Sequence, residues 1–205
     1  MGVMIVSFTI SFALLIIAMT VHEFSHGFVA YKLGDTTAKY SGRLTLNPLA
    51  HIDPVWTLLV PFFLFISTHG QFVFGAAKPV PVNYWALKNP KRDMLLIGFA
   101  GPLANFILAF ALSLLIRSIP LPAVLNLLAV QLIAINVVLG VFNLIPIPPL
   151  DGSRILSGIL PDSLGARYAQ IEPYGFIILF ALLWLGVFDS LIWPAVGVIL
   201  KLFGV

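Results

Sequence analysis

The chain is 205 residues long, 60% hydrophobic and 9% charged, where ordinary soluble domains carry roughly 25% charge, so a water-soluble globule is excluded and the bilayer is its solvent. The net charge of +3 comes from Lys and Arg scattered between apolar runs, with no basic tract interleaved with aromatics, which argues against nucleic acid as a partner. There is no cysteine, so any metal must be held by His and carboxylate rather than by thiolate.

Residues 3 to 21 carry no charge and, continued through Tyr31, predict a first helix long enough to cross about 30 Å of hydrocarbon. Met1-Gly2-Val3-Met4 lacks the basic region of a secretory signal, so this helix is expected to be retained as a span. Val6 stands where a myristoylation signal needs Ser or Thr. The span exits at Lys32, and His22-Glu23-Phe24-Ser25-His26 precedes that exit. At 1.5 Å per residue the motif lies roughly 9–15 Å below the interface.

Thr37 to Leu46 has the β-branched and aromatic content of a short strand or a hairpin about Gly42. Residues 55 to 68 are apolar but short and contain Pro61, which suits a re-entrant or interfacial segment. Phe72-Val73-Phe74 and Lys78-Pro79-Val80-Pro81-Val82 read as extended chain. Met94 to Ile116 predicts a second full span, Leu121 to Leu144 a third and Pro173 to Phe188 a fourth, while residues 190 to 200 are long enough to dip in or cross obliquely. The expected fold is an all-α polytopic membrane protein: a bundle of four to six transmembrane helices with a short β/re-entrant membrane-surface insertion between the first and second full spans. Residues 1–205 form one integral-membrane domain, with a core over about 3–160 and C-terminal helices over 173–205.

Seven of the eleven basic residues lie between the first helix and Met94, and Arg154 and Arg167 follow the third span. The positive-inside rule makes both segments cytoplasmic, with the N-terminus outside. His26 and the end of the third span then finish on the same face.

The H-E-x-x-H spacing carries the chemistry. On a helix, i and i+4 share a face, so both imidazoles reach one Zn²⁺ while Glu23 stands beside them as a general base. From 4 His and two Glu, composition alone would supply this pattern in roughly one chain in a thousand. Two histidines leave a catalytic zinc one protein ligand short. Asn143-Leu144-Ile145-Pro146-Ile147-Pro148-Pro149-Leu150-Asp151-Gly152 stands at the matching end of the third span. Three prolines in four positions unwind the backbone there, which at membrane depth is tolerated only against protein or a watered cavity. Asp151 is the natural third ligand, because an aspartate at the bilayer centre costs about 2.5–3.5 kcal/mol unless something offsets it. The competing reading of Asp151 is a helix N-cap beside Gly152, and capping and ligation can coexist. Asn105 and Asn143 are open between interhelical hydrogen bonding and steadying substrate or an oxyanion. Gly98, Gly101 and Ala104 read as packing positions.

These residues resemble the site-2 protease family of intramembrane zinc metalloproteases. The resemblance lies in His22 through His26, in Gly101-Pro102-Leu103-Ala104-Asn105 and in Asn143 through Gly152, and Ala77-Lys78-Pro79-Val80-Pro81-Val82-Asn83 is similar to the compact prokaryotic branch. It implies one Zn²⁺ per chain on His22, His26 and Asp151, a catalytic Glu23, a prokaryotic cell membrane, and a membrane-embedded protein segment as substrate, cleaved in regulated intramembrane proteolysis. Relative to six-span members the chain is expected to lack the first helix and a PDZ insertion. A helical substrate hides its carbonyls, so it must be unwound, and strand addition onto Thr37–Leu46 or Phe72–Val82 is expected to hold it. Two other classes compete: a metal or proton transporter using the same cluster, against which the lack of an internal repeat counts, and a pseudoprotease binding membrane partners, against which the intact Glu23 counts. Neither substrate identity nor oligomeric state is legible.

Overall fold

A computed structural model describes residues 2–69 and 75–205. Helix α1, Gly2–Lys32, runs 31 residues without a proline. It stops where Gly34 takes a φ of +109° and the Asp35 amide turns back to the Ala30 carbonyl at 3.0 Å. Helices α4, Pro90–Ser118, and α5, Ala123–Asn143, are the other two described helices long and apolar enough to cross a membrane. Their ends match the expected second and third spans within a few residues.

These three form an up-down-up bundle. His26 meets Ile97 and His22 meets Asn105, so α4 runs antiparallel to α1; Asn105 meets Asn136, which sets α5 against α4. The face of α4 that packs inward is Ile97, Gly101, Asn105, Ala109 and Ser113, whereas Leu103, Ile107, Phe110 and Leu114 are exposed. Lipid is as apolar as leucine, so large side chains gain nothing by hiding, and small or polar ones allow close approach and hydrogen bonds within.

Between α1 and α4 the expected strand gives way to helix. Thr37–Tyr40 forms α2, and no strand is present among the described residues. The Asp35 carboxylate accepts the Thr37 amide at 2.9 Å and starts a helical turn, and the Ala38 carbonyl then takes the amides of Arg43 and Leu44. The turn at Gly42 is present, with φ +69°, but β-branched residues without a partner strand have no ladder to join, and the local bond from the Thr37 amide to the Asp35 side chain wins.

Pro54–Leu59, π-helical, and α3, Val60–Ser67, join into one short apolar helix started by the Asp53 carboxylate, which accepts the amides of Val55 and Trp56. Fourteen residues reach about 21 Å, too short to cross. Of the expected extended chain, Phe72 to Phe74 lies outside the described residues. Residues 75–83 form an irregular strap over α1. Four of its amides are held: Ala76 by the Trp56 carbonyl, Lys78 by the His51 carbonyl at 2.9 Å, Val80 by Glu23 at 2.8 Å and Asn83 by Asp35 at 2.6 Å.

After α5 the prolines unwind the chain, and α6, Asp151–Ile159, begins at the aspartate. Helix α7, Asp162–Ala169, leads to α8, Gly175–Trp184, and α9, Trp193–Phe203, follows a π-turn. Asp162–Trp184 and Phe188–Phe203 form a pair bent by 75°, a broken span or a re-entrant loop. Helix α9 returns to the bundle, where Val196 is buried with Ala109, Ile133 and Val137. Among the described residues, three helices, or four if the bent pair is one span, are long and apolar enough to cross a membrane, against the four to six expected.

Candidate active site

Local periodicity places His22 and His26 one above the other on α1, both buried, with ring centroids 4.7 Å apart. Asp151 arrives from the far side of the unwound segment. Its carboxylate Oδ2 lies 2.9 Å from His22 Nε2 and 3.1 Å from His26 Nε2, and the two Nε2 atoms are 3.1 Å apart. Asp151 is the first residue of α6, not its cap, and near the positive end of the helix its negative charge is favoured. Its second oxygen, Oδ1, faces the Arg154 guanidinium at 3.5 Å. Arg154 was not singled out from sequence, although an i, i+3 pair on one helix face was readable.

Two glycines make this convergence possible. A Cβ on Gly101 would fall 2.6 Å from His22 Nε2 and closer still to His26 Nε2, so at this point α4 can only be bare backbone. A Cβ on Gly152 would strike the carbonyl oxygens of Leu144 and Ile145, which fold back over the start of α6. Gly98 packs against the Asp151 carbonyl and Arg154, as the packing reading expects. The loose carbonyls of the unwound segment find partners: Ile145 and Ile147 accept amides within it, and Pro146 accepts the Tyr168 hydroxyl at 2.7 Å.

Each imidazole is held from behind. His26 Nδ1 is 2.6 Å from the Ile97 carbonyl, and His22 Nδ1 is 2.6 Å from Asn105 Oδ1. Both are acceptors, so each ring carries its proton on Nδ1 and leaves Nε2 as a bare lone pair. Two imine nitrogens and a carboxylate oxygen then point at one another without a proton to share, an arrangement that repels unless a cation lies between them. Zinc with such ligands at 2.0–2.2 Å needs donors roughly 3.3–3.6 Å apart, a few tenths of an ångström beyond the distances here. The donor set fits zinc, and a small outward shift would seat it.

Glu23 is half-buried beside His22, and its Oε2 accepts the Val80 amide. Pro79 and Pro81 have no amide to give, and those of Lys78 and Val80 are already used, so along Lys78–Pro81 the strap offers an incoming strand only carbonyl acceptors. Thr37–Leu46, helical at α2, offers no strand edge. Asn105 is fully buried, with its oxygen on His22 and its Nδ2 on the Ala18 carbonyl and Asn136. Asn143 is half-buried at the end of α5 and donates to Leu139 of its own helix. His51, in the turn before Asp53, is buried and bonds the Thr45 carbonyl at 2.8 Å.

The chain is similar to several known proteins. Peptidase family M50 matches residues 121–186. YwhC of Bacillus subtilis, which carries a zinc metalloprotease name, is 40% identical over 202 residues, 92% of this chain and 88% of its own. Rip2 of Mycobacterium tuberculosis, similarly named, is 32% identical over 82% of this chain and 63% of its own length. Zinc metalloprotease MJ0392 of Methanocaldococcus jannaschii is 30% identical over 75% of this chain and 35% of its own. The chain thus spans most of YwhC but less than two thirds of Rip2. No solved structure matches. A 40% identity that covers 88% of a relative leaves one conclusion: the chain belongs to peptidase family M50, the site-2 proteases, and is a zinc metalloprotease of the membrane.

Proposed function

We propose that this enzyme is an intramembrane endopeptidase that hydrolyses peptide bonds in or near transmembrane segments of other membrane proteins, in regulated intramembrane proteolysis. The carrying observation is that His22, His26 and Asp151, from helices far apart in sequence, bring three ligand atoms into one buried cluster. We assign His22, His26 and Asp151 as the ligands of one zinc per chain and Glu23 as the catalytic acid/base, all within a single domain over residues 1–205.

Bound zinc supplies Lewis acidity, which acidifies water towards neutral pH and polarises a peptide carbonyl. Glu23 removes a proton from the attacking water and delivers it to the leaving amine. The Val80 amide on Oε2 holds the carboxylate and leaves Oε1 for that transfer. Arg154, on the outer oxygen of Asp151, keeps that carboxylate aimed at the imidazoles. Asn105 is read as holding His22, because both ends of its amide are engaged. Asn143, with its oxygen left over, is the better candidate to meet substrate. Basic segments after α1 and α5 support an orientation with the N-terminus outside and the site towards the cytoplasm.

The test is zinc stoichiometry alongside cleavage of a membrane-embedded substrate in wild type, Glu23→Gln and Asp151→Ala. Glu23→Gln should keep the metal and lose cleavage by at least ~10²-fold, and Asp151→Ala should weaken both. Wild-type cleavage by Glu23→Gln would remove Glu23 from its role, and undiminished zinc in Asp151→Ala would remove the assigned ligand set.

A further inference from the structure

Asn136 lies in mid-α5, fully buried like its neighbours Ile133 and Val137, and neither of its hydrogen bonds is made to the carboxylate or to an imidazole directly. We infer that Asn136 is a positioning residue that acts through Asn105 to hold His22 in the tautomer whose Nε2 lone pair can take zinc. The inference rests on the assignment of His22 as a ligand.

The argument follows from which groups can donate. A backbone carbonyl only accepts, so the Leu132 carbonyl, 2.8 Å from Asn136 Nδ2, selects the NH₂ end of that amide and turns its oxygen towards α4. That oxygen lies 2.7 Å from Asn105 and selects the NH₂ end of the second amide, as does the Ala18 carbonyl at 3.2 Å. Asn105 is thereby obliged to show its oxygen to His22 Nδ1, 2.6 Å away, and an acceptor there demands an N–H. The ring has one proton in its neutral form, so Nε2 is left bare. No amide in this series can flip without setting acceptor against acceptor or donor against donor.

His26 reaches the same state in one step, on the Ile97 carbonyl. His22 has a side-chain amide in that place, which could present either end, and two carbonyls on α1 and α5 decide which. A merely structural Asn105–Asn136 bond between helices would need no direction. This series has one, and it points at a ligand atom.

The experiment measures the apparent zinc affinity of the full-length protein in detergent by chelator competition, with thermal unfolding of the zinc-free form reporting the fold. Asn105→Ala should weaken zinc about 10–100-fold, as removal of outer partners of a ligating histidine does. Asn136→Leu should weaken it roughly 3–10-fold, a step further out, and Asn136→Asp, which keeps an acceptor towards Asn105, should recover most of that loss. In the Asn105→Ala background, Asn136→Leu should have no further effect, because its route to His22 is gone. If Asn136→Leu does not fold, Asn136→Ala, which lacks the same acceptor, enters the cycle instead. Equal losses with and without Asn105, or an unchanged affinity in a folded Asn136 variant, would overturn the inference. His22→Ala keeps the two questions apart: undiminished zinc there would sink the metal assignment itself, whereas a loss there beside a neutral Asn136→Leu would sink this inference alone.

Discussion

Gly101 is the residue on which the site turns most sharply. Alanine is ordinarily the better helix former by about 1 kcal/mol, yet a methyl here would occupy the space of both imidazole nitrogens. Gly101→Ala should weaken zinc at least tenfold and, because the methyl meets both rings in the zinc-free protein as well, lower its unfolding temperature too, read by unfolding and by chelator competition on the same sample. A variant that keeps its zinc affinity would show that the imidazoles can step aside. From the sequence Gly101 was recognisable as a packing glycine. That its packing partners are the metal-binding candidates was not, because nothing local says which turn of α4 faces which turn of α1.

Among the elements, the strap over residues 75–83 is tied down by two carboxylates of α1 and its exit, Glu23 at Val80 and Asp35 at Asn83. Asp35 is fully buried and also starts α2, so one side chain holds both halves of the insertion. Asp35→Ala leaves the part-buried amides of Thr37 and Asn83 without their acceptor, at a cost below the about 1–3 kcal/mol each of fully buried groups, because water can reach them. It should lower the unfolding temperature and speed proteolysis within residues 75–83, with zinc stoichiometry unchanged. Equal proteolysis of variant and wild type would mean that Asp35 does not fasten the strap. The same residue explains why the strand expected over Thr37–Leu46 is a helical turn. Its composition favours extended chain, but an acceptor at Asp35 and the lack of a neighbouring edge outweigh that preference, and only the second of these is invisible in the sequence.

At the scale of the whole molecule, three apolar helices alternate in direction and carry their large side chains outward. The proposed orientation can be tested because the chain has no cysteine of its own. Lys88 and Ser118 are exposed on either side of the long α4 helix, so Lys88→Cys should react with a membrane-impermeant thiol reagent only after the cytoplasmic face is opened. Ser118→Cys should react in intact cells. The reverse pattern would invert the topology and move the site to the other side of the membrane.

The sequence by itself determined what is local or cumulative. Charge content and long uncharged runs placed the chain in a bilayer, the i, i+4 spacing set two imidazoles on one helix face, and the run of prolines unwound the backbone ahead of Asp151. Each follows from chain geometry over a turn or two, or from a transfer free energy summed along a helix. Tertiary structure alone decided that Asp151 Oδ2 falls within 3.1 Å of both rings, that Gly101 is their floor, that Val80 holds Glu23 and that Asn136 speaks to His22 through Asn105. Those contacts depend on how three helices are shifted and rotated against one another. That alignment is set by many small packing and hydrogen-bonding terms distributed over the bundle, none of which leaves a signature in neighbouring residues.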